Sequence, residues 1–193
     1  WPLPGRTGAS FRGTEEEARQ ELSRLLSDAV KRRLISDVPL GVLLSGGVDS
    51  TAVALYAQRL TGSPVRTFTI GFIGDAELDE RPFAEEAARA LGTKHTASVL
   101  EPEATGELIG TLLHHHDQPF GDASALPTYL VAAEARRHVT VVLNGDGGDE
   151  LFAGYSRFGA ALLTERIPPP IRTLAVTMPG PFNLNGRILP TAE

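Results

Sequence analysis

The chain has no cysteine among its 193 residues, and this absence removes several classes of site. A disulfide scaffold, a cysteine-ligated zinc ion and a cysteine nucleophile are all excluded for these residues. Positive charge is also scarce, since 18 Lys and Arg stand against 24 Asp and Glu and give a formal net charge of −6. Binding to nucleic acid depends largely on basic residues, so no nucleic-acid partner is expected.

Long apolar runs are missing as well. No stretch approaches the roughly 20 apolar residues that a membrane-spanning helix requires, so no membrane partner is expected. The opening residues Trp1-Pro-Leu-Pro-Gly5 lack the basic and apolar regions of a signal peptide. These features predict a cytoplasmic protein. The composition, 41% hydrophobic and 22% charged, is typical of a globular domain that can build a core without disulfides.

Three segments differ in character. Residues 1–13 are predicted to be a linker from an absent N-terminal domain. Residues 14–166 are predicted to be the folded domain. Residues 167–193, rich in Pro and Gly, are predicted to be an irregular tail from a truncated C-terminal part.

The middle segment alternates helical and strand patterns. A capping box at Thr14 and Glu17 begins the first helix, whose apolar stripe from Leu22 to Leu34 is expected to pack on the core. Further helices are predicted at 51–60, 79–91, 101–116 and 126–137, and from Asp149 towards Tyr155. Strands are predicted at 41–44, 65–72, 94–100 and 139–143.

This alternation predicts an α/β fold, a three-layer sandwich with a parallel sheet and helices on both faces. Ligands of such sheets bind at the carboxyl ends of the strands. The segments 45–50, 71–80 and 144–149 therefore form the expected functional edge. Within the second of them, Glu80 and Arg81 either reach a ligand or lie at an exposed helix start.

Residues 45–50, Ser-Gly-Gly-Val-Asp-Ser, form the first motif and are called the glycine loop below. The loop follows a buried strand and precedes a helix, so its glycines let backbone amides approach a phosphate at the helix N-terminus. Neither G-x-x-x-x-G-K-[ST] nor G-x-G-x-x-G is present, which excludes the common P-loop and the dinucleotide fingerprint. The alternative is an ordinary Gly-Gly turn with Asp49 at the helix start.

Residues 144–150, Asn-Gly-Asp-Gly-Gly-Asp-Glu, form the second motif and are called the acidic loop. Carboxylates beside a phosphate would repel it unless a divalent cation lay between them. Mg²⁺ prefers a few carboxylates together with phosphate oxygens and water, so Asp49 and Asp149 are the predicted metal pair. A calcium loop and a solvated acidic turn are the alternatives, although the calcium-loop pattern is not matched.

The glycine loop is similar to the PP-loop of the N-type ATP pyrophosphatases. The acidic loop and its continuation to Tyr155, N-G-D-G-G-D-E-L-F-A-G-Y, resemble the asparagine synthetase family, as does D-Q-P-F-G-D-A-S at 117–124. The resemblance covers residues 1 to about 160 in the family's order. It implies the adenine nucleotide α-hydrolase-like fold of the PP-loop ATPases, and it identifies residues 14–166 as an expected ATP-binding synthetase domain.

The resemblance also implies roles for individual residues. The pyrophosphate of ATP would be held by Ser45, Gly46, Gly47, Asp49 and Ser50. Leu43 and Ile70 match positions that contact the nucleotide, and Asn144 and Gly145 match a pair that contacts the adenylate. Asp146 and Tyr155 match catalytic positions, the first acting on the acyl-adenylate and the second in the second half-reaction. Asp49 and Asp149 match aspartates associated with Mg²⁺.

The implied activity is that of an asparagine synthase-like ligase. Members of the family adenylate a carboxylate with ATP and release pyrophosphate, after which ammonia from a glutaminase domain, absent from this chain, forms the amide. Aspartate is the expected carboxylate, and ATP and Mg²⁺ are the expected cofactors.

Two departures leave the acceptor open, because Asn144 replaces the more usual serine and Asp146 the more usual glutamate. A lysine of the family's later helical part also has no match. The alternatives are an amidotransferase for another carboxylate and a nucleotide-binding module or inactive fragment without turnover. The acidic loop argues against a PP-loop enzyme that makes NAD or a modified nucleotide.

Overall fold

The computed structural model describes residues 11–72, 79–100, 105–116, 118, 121–122 and 124–165. Residues 1–10 of the predicted linker and the whole predicted tail lie outside the described residues. The chain divides into two compact units, Trp1–Asp146 and Gly147–Glu193. The first unit contains, in chain order, α1 (Glu15–Arg33), β1 (Leu40–Leu43), α2 (Val48–Leu60), β2 (Arg66–Phe72), α3 (Arg81–Leu91), β3 (Lys94–Leu100), α4 (Thr105–His116), α5 (Ala125–Arg136) and β4 (Val141–Leu143). The second contains α6 (Gly148–Phe152) and α7 (Ser156–Glu165).

The four strands form one parallel sheet in the order β3-β2-β1-β4. β1 is central, and its Val42 pairs with Thr67 of β2 on one side and with Leu143 of β4 on the other. Because the strands are parallel, their carboxyl ends lie at one edge of the sheet. The chain segments that leave β1 and β4 therefore begin side by side.

Both faces of the sheet are covered by helices. Val42 and Leu44 project from one face into a core that is otherwise made largely of small side chains: Ala54, Ala57, Ala84 and Ala88, with Val30. Phe68 projects from the opposite face and packs with Ala135 and Val139, and with the half-buried Leu43 and Val131. Alternate residues of a strand point to opposite faces. The predicted three-layer α/β sandwich is confirmed.

Helix α1 begins at the predicted capping box. The Glu17 amide donates to Thr14 Oγ1 at 3.2 Å, and the Thr14 amide donates to Glu17 Oε2 at 2.7 Å. The predicted core stripe is too long, however, because Leu22 and Leu25 are 43% and 50% exposed. The part of the stripe that packs against the core consists of Leu26, the buried Val30 and Leu34.

Element boundaries depart from prediction near the two motifs. α2 begins at Val48 rather than at residue 51, because the extended backbone of Gly47 already occupies the cap position. α6 ends at Phe152, where Ala153 adopts a left-handed conformation (φ 58°), so the helix predicted to run towards Tyr155 is shorter. α7 was not predicted. Among the described residues, no helix combines the length and apolar character needed to cross a bilayer.

We expect His95 of β3 to make the stability of the protein depend on pH. Its Nδ1 lies 2.9 Å from Thr67 Oγ1, whereas its buried Nε2 has no partner within the described part of the chain. Burial lowers the pKa of His95, against a smaller opposing effect of Glu85. The unfolded chain therefore binds the proton more readily, and stability is lost as pH falls from about 6.5, the ordinary His value, through the lowered value.

We expect the free energy of unfolding to fall as pH drops from about 7 to about 5, and His95→Asn to remove part of that slope. Urea unfolding at a series of pH values measures it. An unchanged slope in His95→Asn would contradict the assignment.

Candidate active site

The glycine loop connects β1 to α2 and is held by hydrogen bonds from within. The Ser45 amide donates to Ser50 Oγ at 3.2 Å, and the two hydroxyl oxygens are 2.8 Å apart. The buried Ser50 hydroxyl also donates to the Gly47 carbonyl at 3.3 Å. Ser50 therefore fixes the path of the loop, a part of its role that the sequence pattern did not predict.

Gly46 lies in the left-handed region at φ +82°, beneath the first turn of α3. A Cβ atom at Gly46 would lie 2.5 Å from the carbonyl carbon of Phe83 and 2.7 Å from the amide nitrogen of Ala84. Both the conformation and the lack of space require glycine. The packing of α3 over the glycine loop was not predicted, since nothing in the local sequence around Phe83 signals this contact.

The N-terminus of α2 opens directly from this loop. Gly47 is the N-cap residue, and no side chain caps the helix there. The first amides of a helix lack intrahelical acceptors and favour an anion. In the same turn, Thr51 Oγ1 is buried and has no hydrogen-bond partner in the described part of the structure. A buried hydroxyl without a partner is costly, so an external acceptor would stabilise this turn.

The acidic loop meets the glycine loop at Gly145. A Cβ atom there would lie 2.8 Å from the Ser50 amide nitrogen and 3.1 Å from the Asp49 carbonyl carbon. On either side of Gly145, Asn144 Nδ2 donates to Asp146 Oδ2 at 2.6 Å. The structure thus brings Asn144, Gly145 and Asp146 to the start of α2, as the strand pairing requires.

The two residues predicted to contact the nucleotide share one face of the sheet. Leu43 pairs in register with Phe68, and Ile70 follows Phe68 by two positions on β2. Since side chains alternate along a strand, Leu43, Phe68 and Ile70 all face the same way. Leu43 and Ile70 are half-buried near the carboxyl ends of their strands. The described geometry therefore groups them at the expected edge.

The segment that leads into α3 carries an ion pair that the sequence did not reveal. Asp79 accepts two hydrogen bonds from the Arg81 guanidinium, at 2.8 Å from Nε and 2.7 Å from Nη2. The pair crosses Gly71 at the end of β2, where a Cβ atom would collide with both side chains. Glu80 is exposed at the start of α3, whereas Arg81 is largely covered and its guanidinium is held by Asp79.

In the second unit, Tyr155 lies in the turn between α6 and α7. Its hydroxyl donates to Glu150 Oε1 at 2.9 Å, and this hydrogen bond raises the pKa of Tyr155. The Arg157 guanidinium lies 4.0 Å from the centre of the tyrosine ring. The Asp149 carboxylate folds over Gly154. The sequence pattern singled out Tyr155 and Asp149 but neither partner of the tyrosine, although Glu150 belongs to the acidic loop.

The fold and this arrangement agree with the class of protein expected from the sequence. The first strand of the parallel sheet leads through the S-G-G-V-D-S loop into a helix without a side-chain cap, as the resemblance to the PP-loop implies. The family model for asparagine synthase matches residues 21–190. The chain therefore belongs to the asparagine synthase family.

Individual relatives agree with this membership. A putative glutamine-hydrolysing asparagine synthetase of Methanocaldococcus jannaschii is 40% identical over 171 residues, covering 86% of this chain and 33% of the relative. Asparagine synthetase 1 of Bacillus subtilis is 38% identical, covering 83% of this chain and 26% of the relative. The chain thus spans about a quarter to a third of the length of these curated relatives. An amidase of Penicillium rubens is 34% identical, covering 79% of this chain and 25% of the relative.

Among solved structures, an NH3-dependent NAD synthetase from Campylobacter jejuni is similar to this chain with a TM-score of 0.48 and 16% sequence identity. The match covers 71% of this chain and 60% of that chain.

Proposed function

We propose that this chain carries the synthetase portion of an ATP-dependent amide-forming ligase of the asparagine synthase type. It would adenylate a carboxylate, with aspartate as the expected acceptor, and release pyrophosphate. Ammonia would then attack the acyl-adenylate to give the amide and AMP. The observation that carries this proposal is the close contact of Gly145 with the start of α2. This contact brings the glycine loop next to the residues proposed to contact the adenylate, at one edge of the sheet.

The glycine loop supports the first half-reaction. The acceptor carboxylate attacks the α-phosphorus of ATP, the bond between the α-phosphorus and the bridging oxygen breaks, and pyrophosphate leaves with that electron pair. The uncapped amides of α2 and the unpartnered Thr51 hydroxyl suit the charge that develops on the leaving pyrophosphate. We propose that Ser45, Gly46, Gly47, Asp49 and Ser50 surround it, while Leu43 and Ile70 contact the nucleotide.

The second half-reaction replaces AMP by nitrogen. Ammonia attacks the acyl carbon, the carbon–oxygen bond to AMP breaks, and a proton leaves the nitrogen. We propose that Asn144 and Gly145 contact the adenylate and that Asp146, hydrogen-bonded to Asn144, acts on the acyl-adenylate. Tyr155 would help to move the proton, because its hydroxyl already donates to the Glu150 carboxylate.

The carboxylates fit a hard divalent cation. We propose that Asp49 and Asp149 hold Mg²⁺, which when bound neutralises charge on the departing pyrophosphate. Among the described residues, no group of three or more His, Cys, Asp or Glu side chains could hold a metal ion without help. Phosphate oxygens and water would therefore complete the octahedron that Mg²⁺ prefers.

The source of ammonia would be a glutaminase domain, as the description of the relatives as glutamine-hydrolysing suggests. ATP is supplied in the cytoplasm, where we place the reaction. An acceptor other than aspartate is the second candidate. It is favoured by the 2.6 Å hydrogen bond from Asn144 to Asp146. This bond holds the Asp146 side chain, already shorter than the usual glutamate, against Asn144, so it would extend less far towards an acceptor.

Two measurements on the full chain test this proposal. Calorimetry with MgATP tests binding, and isotope exchange between pyrophosphate and ATP, run with aspartate, with a panel of other carboxylates and without acceptor, tests adenylation. Exchange that depends on aspartate supports the proposal, and exchange with another carboxylate alone supports the second candidate. Binding without exchange indicates a nucleotide-binding module. No binding by a chain that melts cooperatively refutes the proposal.

Thr51 offers a sharper prediction. Thr51→Val keeps the shape of the side chain and removes a buried hydroxyl that lacks a partner. We expect the free protein to be at least as stable as the wild type, whereas ATP affinity falls about fivefold, equivalent to about 1 kcal/mol, the usual value of one hydrogen bond. Thermal melts and calorimetry measure the two effects. Loss of stability without loss of affinity would contradict this role.

A further inference from the structure

We propose that Asp79 and Arg81 form a positioning pair that seats the first turn of α3 on the glycine loop and so sets the affinity of the site for pyrophosphate. This inference rests on the proposed function. It assigns the pair no contact with the reacting atoms. Its action would pass through the backbone of α3 to Gly46.

The pair is better placed than the other ion pairs among the described residues. The Arg81 and Asp79 side chains are only 27% and 17% exposed, and their contact is bidentate. Asp79 Oδ1 also accepts from the Arg81 backbone amide at 3.1 Å. These bonds to Arg81 lower the pKa of the Asp79 carboxyl, which keeps it charged at neutral pH. One carboxylate thus fixes both the guanidinium and the first amide of α3.

Apart from the pair and the buried Ala84, which belongs to the core, the first turn of α3 has few anchors. Glu80 occupies the N-cap position but makes no side-chain capping bond. On the side of the sheet, the Asp79–Arg81 pair lies directly over Gly71. The pair can come this close to the strand because glycine has no side chain. Without the pair, this turn would lose its side-chain contacts over Gly71.

On the other side, the same turn lies on the glycine loop. Phe83 and Ala84 come within 2.5–2.7 Å of where a Gly46 Cβ would be, and Ala84 is fully buried. Phe83, in contrast, is 65% exposed, so its backbone rather than its ring makes the contact. A shift of the turn would therefore be transmitted to Gly46, which is one of the residues proposed to surround the pyrophosphate.

The alternative is that Arg81 binds a phosphate directly. Both Nε and Nη2 already donate to Asp79, so a direct role would require Arg81 to leave its partner. The two roles differ in what the carboxylate does. For a positioning pair, loss of either partner is equivalent, whereas for a direct ligand loss of Asp79 would release Arg81 and leave affinity equal or higher.

The experiment compares Arg81→Met, Asp79→Asn and the double variant in the full chain, with titration of MgATP, pyrophosphate and AMP. We expect each single variant to weaken MgATP and pyrophosphate about tenfold, the double variant to be no weaker, and AMP affinity to stay unchanged. Arg81→Lys should restore affinity only partly, since lysine cannot form the bidentate contact. Arg137→Met is the control, because Arg137 pairs with Glu134 but is 75% exposed.

Three results overturn the inference. They are unchanged pyrophosphate affinity in both single variants, equal loss of AMP affinity, and weakening in Arg81→Met but not in Asp79→Asn. Thermal melts check that the variants are folded, and if Arg81→Met is not, Asp79→Asn and Arg81→Lys decide. A folded wild type that binds no ATP refutes the proposed function and this inference with it, whereas wild-type binding with unaffected variants refutes the inference alone.

Discussion

Replacing Gly46 with alanine should reduce ATP affinity at least about 100-fold, equivalent to about 2.7 kcal/mol. Two effects act together. A non-glycine residue at φ +82° carries a penalty of about 1–2 kcal/mol, and the new Cβ would collide with the backbone of Phe83 and Ala84. Backbone atoms cannot rotate away as a side chain can, so α3 must move off the loop. Calorimetry with MgATP measures the loss.

Two other glycines separate these effects. Gly92 is also left-handed, at φ +70°, but no atom of the described residues lies within 4 Å of its missing Cβ, so Gly92→Ala carries the strain without the collision. Gly62 has neither constraint. We expect Gly92→Ala to lower stability while ATP affinity stays at the wild-type level, and Gly62→Ala to change neither. If Gly46→Ala were folded and bound ATP with wild-type affinity, the contact between α3 and the glycine loop would not matter for ATP binding.

Replacing Gly145 with alanine should lower the rate of acceptor-dependent exchange between pyrophosphate and ATP about 30-fold, equivalent to about 2 kcal/mol. The new Cβ would lie 2.8 Å from the Ser50 amide nitrogen and 3.1 Å from Asp49, so the segment after β4 must move away from α2. That movement would carry Asn144 and Asp146 out of position. The backbone of Gly145 is not left-handed, so collision alone causes the effect.

Gly62 is the matched control for this second substitution as well. It is a glycine outside helices and strands, and among the described residues nothing lies within 4 Å of its missing Cβ. Gly62→Ala should keep the wild-type exchange rate. If Gly145→Ala also kept it, with the same thermal stability as the wild type, the approach of the two loops would not matter for adenylation.

Much of the fold could be predicted because its signals are local or periodic. The buried run at β1 and the glycine-rich turn after it give a strand, a loop and a helix in that order. The rule that parallel strands end at one edge then places Asn144 to Asp146 near the glycine loop, as β1–β4 pairing confirms. The capping box at Thr14 is equally local, which is why the start of α1 was predicted to the residue.

The failures have two causes, namely packing that depends on residues distant in sequence and a local backbone conformation that composition does not signal. Leu22 and Leu25 have helical periodicity, but periodicity does not say which turns of α1 reach the core. The Asp79–Arg81 contact depends on the exit of β2 past Gly71, which no spacing rule encodes. The break at Ala153 is a left-handed residue that is not glycine, so composition gave no warning of it. The roles of Asp149 and Tyr155 rest on resemblance and stay predictions.

The hydrogen bonds of Ser50 have a thermodynamic consequence. A loop that ordered itself only around its ligand would lose conformational freedom on binding, at about 1–2 kcal/mol for each residue fixed. Ser50 already ties Ser45 and Gly47 together in the free protein, so most of that entropy is lost during folding. The contacts with the phosphates then do not have to offset the entropy lost on ordering the loop. In Ser50→Ala, that entropy would be lost on ligand binding instead of on folding.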